Sequence, residues 1–158
     1  GTIAEYTTEP SLSGTNVMLS NKAAVGTEVY GISGMSGTFV AADVDGQTRL
    51  FQRVSFNGNA LKGSETLADV MQLSGHVASI ELSGVATITD TSVCADLISL
   101  LLNDATYECS GSLSAKQSLL IELDNGLVYQ FTVKNDKIAS CGTWSCPEFF
   151  EAFEAACE

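Results

Sequence analysis

The chain has 158 residues, 45% of them hydrophobic and 16% charged, with 7 Lys and Arg against 19 Asp and Glu for a net charge of −12. That length suits a single domain, 1–158, with a real core, and the apolar content argues against intrinsic disorder. So few basic residues exclude nucleic acid as a partner and electrostatic docking on an anionic membrane; no apolar run approaches the ~20 residues a membrane span needs.

Residues 1–14 are rich in Thr, Ser and Glu without clear periodicity and read as a loose arm or edge strand. From 16 to 56 the pattern is strands broken by glycine, at 16–19, 27–33, 38–44 and 48–56. Asp45-Gly46 between two β-rich runs marks a hairpin. Asn57-Gly58-Asn59 turns the chain. Residues 64–73 read as a short helix with Ser64 as N-cap, Leu67, Val70 and Met71 on one face, and Gly75 as the stop.

Residues 76–89 read as one long strand, since Ala78, Ile80, Leu82, Ala86 and Ile88 alternate with Ser79, Glu81, Ser83 and Thr87. Residues 93–102 read as a buried helix whose only wet stripe is Asp96, Ser99 and Asn103. Segments 105–113, 117–123, 127–134 and 137–144 form an expected antiparallel meander, turned at Asp124-Asn125-Gly126 and Asn135-Asp136. A last helix starts near Cys146, with Ser145-x-x-Glu148 as a capping box and Pro147 in its first turn. Its apolar face carries Phe149, Phe150, Phe153, Ala156 and Cys157. The whole reads as an α+β fold, a curled, mainly antiparallel sheet packed on two or three short helices.

The acidity is uneven. Residues 1–79 carry 4 basic and 7 acidic side chains, net −3, while 80–158 carry 3 and 12, net −9. A solvated acidic surface explains this, and Glu148, Glu151 and Glu154 read as the wet side of the last helix.

There are five cysteines, Cys94, Cys109, Cys141, Cys146 and Cys157. With few lysines and many Gly, Ser and Thr they point to an extracellular or periplasmic location, the alternative being a cytoplasmic protein with reduced thiols. An odd count leaves one thiol free or paired between chains. Cys146 and Cys157 flank one helix, ~16 Å apart at ~1.5 Å per residue, beyond disulfide reach. Cys141–Cys146 or Cys109–Cys141 is the expected bridge, and Cys94 reads as a buried helix residue. There is no Cys-x-x-Cys pair, so no metal is expected. Gly1 is not a translation start, so the chain reads as a processed or trimmed form.

Catalytic signals are sparse. His76, the single histidine, reads as a surface residue, although a general base would have to be this side chain. No Gly-x-Ser-x-Gly elbow accompanies it. Gly31-x-x-Gly34-x-x-Gly37 lacks the spacing and lysine of a phosphate loop, and Asp43-x-Asp45-Gly46 lacks the later ligands of a calcium loop. No cofactor is implied. The aromatic set Phe131, Trp144, Phe149 and Phe153, with Phe150, lines a candidate ligand pocket or simply fills a core.

Two stretches carry a resemblance. ADLISLLLNDATYECSG at 95–111 resembles the helix, acidic turn and first strand of the NTF2-like (SnoaL-like) superfamily, and NGLVYQFTVKNDKIASCGTW at 125–144 resembles its closing pair of strands. Together they cover about a quarter of the chain, whereas some ninety mostly β residues precede the first stretch. The resemblance implies a cone whose interior binds a small apolar molecule or runs acid–base chemistry of isomerase or cyclase type. Asp104 and Tyr107 would be its first polar candidates. The order of strand, Cys94-bearing helix and later strands is also similar to the globular head of type IV pilins, without their stalk helix. The leading expectation is a non-catalytic, exported binding or surface-assembly domain, meeting a protein or a small apolar ligand and compatible with a homo-oligomer.

Overall fold

A computed structural model describes residues 1–7, 17–35, 38–52, 66–109, 113–114 and 117–157. The fold is α+β, mainly antiparallel. The chain divides into two compact units, Gly1–Ala60 and Leu61–Glu158.

In the first unit β1 (Ile3–Tyr6) and β2 (Met18–Ser20) pair in parallel. β3 (Val29–Gly31), β4 (Phe39–Val44) and β5 (Gln47–Gln52) form a three-stranded antiparallel sheet. The β4–β5 turn is Asp45-Gly46, with φ of 54° and 75°. Both central residues lie in the left-handed region, which matches the strand twist and favours Asp-Gly. The register pairs Val29 with Ala42 and Val40 with Phe51, so alternate residues of β4 share one face with their partners. On that face Val44 joins Ile3 and Ala23 in a small core, with Val29 and Phe51 against it. Backbone bonds lace the start of β1 to the β3 region: Val29 N–H donates to Gly1 O at 2.7 Å and Ile3 N–H to Thr27 O at 2.9 Å.

The second unit begins with α1 (Leu67–Met71), followed by β6 (Val77–Leu82), β7 (Ala86–Ile88) and α2 (Thr91–Asp104). Then come β8 (Thr106–Cys109), β9 (Gln117–Leu123), β10 (Val128–Lys134), β11 (Lys137–Ala139), β12 (Thr143–Ser145) and α3 (Pro147–Ala155). Seven strands form an open sheet in the order β7-β6-β9-β10-β11-β12-β8. Its apolar face is built in cross-strand rows. Ile88, Ile80, Ile121 and Tyr129 stand opposite one another in register, as do Ala86, Leu82, Leu119 and Phe131. A third row runs Val133, Ile138, Trp144, Tyr107. α2 packs against β6, α1 and α3. It buries Cys94, Leu97, Ile98 and Leu101, while Asp96, Ser99 and Asn103 stay exposed as the spacing predicts. Asp90 caps its start, accepting from the Ser92 and Val93 amides at 2.9 and 3.0 Å. α3 buries Phe149, Phe150 and Phe153.

Several local expectations are corrected. The short helix starts at Leu67 under a capping box formed by Thr66 and Asp69, and ends at Gln72 in the left-handed region rather than at Gly75; Ser64 lies outside the described residues. The long strand over 76–89 is a hairpin of β6 and β7. Val85 N–H donates to Leu82 O at 2.9 Å, and Gly84, with φ of 77°, takes the turn position that L residues disfavour. The pairing matches even positions with even and odd with odd, so the alternation survives the reversal. Segment 137–144 likewise splits into two strands, reversed at Cys141 (φ 51°) and Gly142 (φ 134°).

β8 does not neighbour β9. It pairs with β12 at the far edge, while β6 takes the place beside β9. No side-chain cap starts α3: Ser145 belongs to β12, opposite Lys137, and Cys146 is the cap residue. Ala156 and Cys157 are exposed beyond its last turn, not part of the apolar face.

No bond joins Cys141 to Cys146. Cys141 sits at the tip of the β11–β12 reversal and Cys146 lies beyond the end of β12. At roughly 3.3 Å per extended residue that separation exceeds the ~7 Å a disulfide spans.

Candidate functional site

The residues singled out in the larger unit lie in different settings. Asp104 is the last residue of α2 and is exposed. Tyr107 is half-buried on β8, its ring edge-on to Trp144 with centroids 5.2 Å apart. His76 is exposed just before β6, where its backbone oxygen accepts from the Asp124 amide at 2.9 Å. Among the described residues, no hydrogen bond links these three side chains to one another.

The aromatic set is enclosed. Trp144 and Phe153 are 0% exposed, Phe149 1% and Phe131 3%. Phe131 stacks on Tyr129 at 6.0 Å, and Phe149 meets Phe150 edge-on at 5.0 Å and Phe153 at 6.2 Å. Trp144 Nε1 donates to Ser140 O at 2.8 Å, so the indole is satisfied without any guest.

The thiols follow burial. Cys94 is fully buried, and burial pushes its thiol above the ordinary range. Burial, reinforced by the nearby Asp136 carboxylate, pushes Cys146 up to about 12. Cys157 is exposed, its Sγ 3.1 Å from Phe153 O. Cys109 stands opposite Thr143 through its backbone. Among the described residues no group of three or more His, Cys, Asp or Glu side chains is placed to hold a metal ion.

The sites the sequence reading missed are concavities. One, of about 360 Å³, lies in the larger unit over Leu82, Val85 and Phe150, rimmed by Asp136, Glu151 and Glu154. Another, of about 310 Å³, lies in the smaller unit. Val29, Val40, Ala42 and Phe51 of the three-stranded sheet form one side. Ile3, Met18, Leu19 and Ala23 line the other, with Ser20 as the sole polar residue among those described. Ser20 Oγ accepts from the amides of Lys22 at 3.0 Å and Ala23 at 2.7 Å, which holds the turn after β2 against the opening. Among the described residues, no ionisable side chain lines it.

No family model, curated protein or solved structure matches this chain. Its chemistry is therefore read from its own residues. The one sequence signal for the smaller concavity was the run of small and β-branched residues through 38–44. Their alternation locates an apolar face but not what stands opposite it. Among the described residues no helix is long and apolar enough to cross a membrane.

Proposed function

We propose that the chain is a non-catalytic, exported binding or surface-assembly domain. The observation that carries this reading is the open concavity of about 310 Å³ in the smaller unit, whose described lining is apolar side chains and one serine. Such a surface holds a partner by removing apolar area from water, about 25 cal/mol per Å² buried. Among the described residues that line it there is no carboxylate, imidazole or thiol to move a proton or attack a bond. Export is part of the proposal and rests on composition: few lysines and many Gly, Ser and Thr.

The test is titration with the neutral, environment-sensitive dye N-phenyl-1-naphthylamine, followed by fluorescence and by amide shifts. Saturable binding with shifts at Val29, Val40 and Phe51 is the expected result. Saturable binding with shifts clustered at Tyr107 and Trp144 instead would move the site into the larger unit and favour the NTF2-like reading. No saturable binding would remove the proposal.

A further inference from the structure

We infer that the concavity of the smaller unit takes a small, uncharged, largely apolar molecule carrying one hydrogen-bond acceptor, seated with that acceptor at the Ser20 hydroxyl. The inference rests on the binding role proposed above and specifies its ligand. Size comes first. A protein interface of ordinary strength buries about 800 Å² on each partner, so this concavity alone does not make one, and a protein partner would need surface beyond it, whereas a compact molecule needs only the concavity. At about 310 Å³ it has roughly twice the volume of the ~150 Å³ apolar cavity that takes benzene, which suits a two-ring or similarly compact molecule.

Charge comes second. Among the described residues, no lining side chain is ionisable. Arg49 stands opposite Ala42 and so shares the sheet face, but it is exposed and outside the lining. An anionic ligand would bring its charge against an apolar wall with no buried partner, a costly arrangement.

Ser20, the single polar lining residue among those described, then sets orientation. A serine hydroxyl has two acceptor lone pairs and one O–H donor. Both acceptor positions of Ser20 are engaged by the amides of Lys22 and Ala23. What it has left to offer is the proton. A ligand carbonyl, ether or ester oxygen accepts that proton, whereas a ligand with only donors finds nothing to accept from it.

Three probes of one skeleton test this on the full chain: tetralin, 1-tetralone and 1,2,3,4-tetrahydro-1-naphthoate. Affinities are read from amide-shift titrations. Tetralin and 1-tetralone should bind at one site with shifts at Val40, Ala42 and Phe51, the ketone about three- to tenfold tighter, as a single added hydrogen bond allows. The carboxylate should bind at least tenfold more weakly than the ketone. Ser20→Ala should bring ketone and hydrocarbon level, and Ser20→Thr should restore the difference. Because Ser20→Ala also frees two amides, the wild-type ketone-to-hydrocarbon ratio decides the matter if that variant does not fold. Equal affinity for ketone and hydrocarbon, or a tighter carboxylate, overturns the inference. If N-phenyl-1-naphthylamine still binds at Val29, Val40 and Phe51, the ligand class has failed and the binding role stands. If neither dye nor probes bind there, both fall.

Discussion

The indole N–H of Trp144 donates to the backbone oxygen of Ser140 at 2.8 Å, across the reversal that joins β11 to β12. The bond ties a fully buried side chain to the end of the preceding strand, and the edge of Tyr107 closes the indole from the adjacent strand. One side chain thus links the last three strands of the sheet.

Trp144→Phe keeps an aromatic ring but leaves the Ser140 carbonyl without its donor. An unsatisfied buried acceptor costs about 1–3 kcal/mol, to which the smaller ring adds a packing loss. A fall in the urea midpoint with unchanged slope is the expected result, read by circular dichroism. In the wild type the same indole, the only tryptophan, should emit at short wavelength and shift to the red on unfolding.

Gly84 turns β6 into β7 with φ of 77°, and a Cβ there would meet no atom within 4 Å. Gly84→Ala should therefore cost about 1–2 kcal/mol through backbone strain alone. Gly31, equally open but without a positive φ, is the control, and Gly31→Ala should be close to neutral. Equal effects of the two substitutions in thermal denaturation would contradict the turn.

The thiols should separate by accessibility. Iodoacetamide at pH 8 should label Cys157 within minutes, while Cys94 and Cys146 react only after denaturation, as peptide mapping would reveal. Burial raises the folded-state value of Cys146 to about 12. Its contribution to stability is therefore complete below the ordinary thiol value, ~8.5, and is lost as pH rises from there toward about 12. Cys146→Ala should flatten the alkaline limb of the stability profile. Intact mass after alkylation, with and without reduction, counts the bridges. At least three free thiols are expected; fewer would place Cys94, Cys146 or Cys157 in a bond.

Asp69 answers to acid. Its carboxylate accepts first from the Thr66 backbone N–H, at 2.8 Å, and also from the Thr66 hydroxyl, and these bonds hold it below the ordinary carboxylate range. The sign is that of a depressed acid: the capping contribution is present above the unfolded value, ~3.9, and is lost as pH falls through the folded one. A side-chain NMR titration should find the Asp69 midpoint below the ordinary aspartate value, ~3.9. In Asp69→Asn the acid-dependent fraying of α1 should disappear.

Much of the secondary structure was legible in local chemistry. Asp45-Gly46 adopts the positive φ pair that its composition favours, 117–123 is β9 to the residue, and the wet stripe of α2 falls on Asp96, Ser99 and Asn103. These features depend on neighbours a few positions apart, and period and turn residues report those directly. What depended on partners distant in sequence was not legible. A hairpin that pairs even with even leaves the same alternation as one long strand, so Ile80 and Ile88 look alike whether they follow or face each other. Nothing local tells Thr106–Cys109 to cross to β12 rather than pair with β9. The aromatic set near the C-terminus reads equally as pocket or core until Trp144 is seen bonded to Ser140 and Phe149 against Phe150 and Phe153. The concavity around Ser20 is made by two layers brought together in space, each carrying only an ordinary apolar face. Sequence by itself determined where the apolar faces and turns lie, because those are short-range properties. Tertiary structure alone decided which faces close on each other and which is left open, because that is set by long-range pairing.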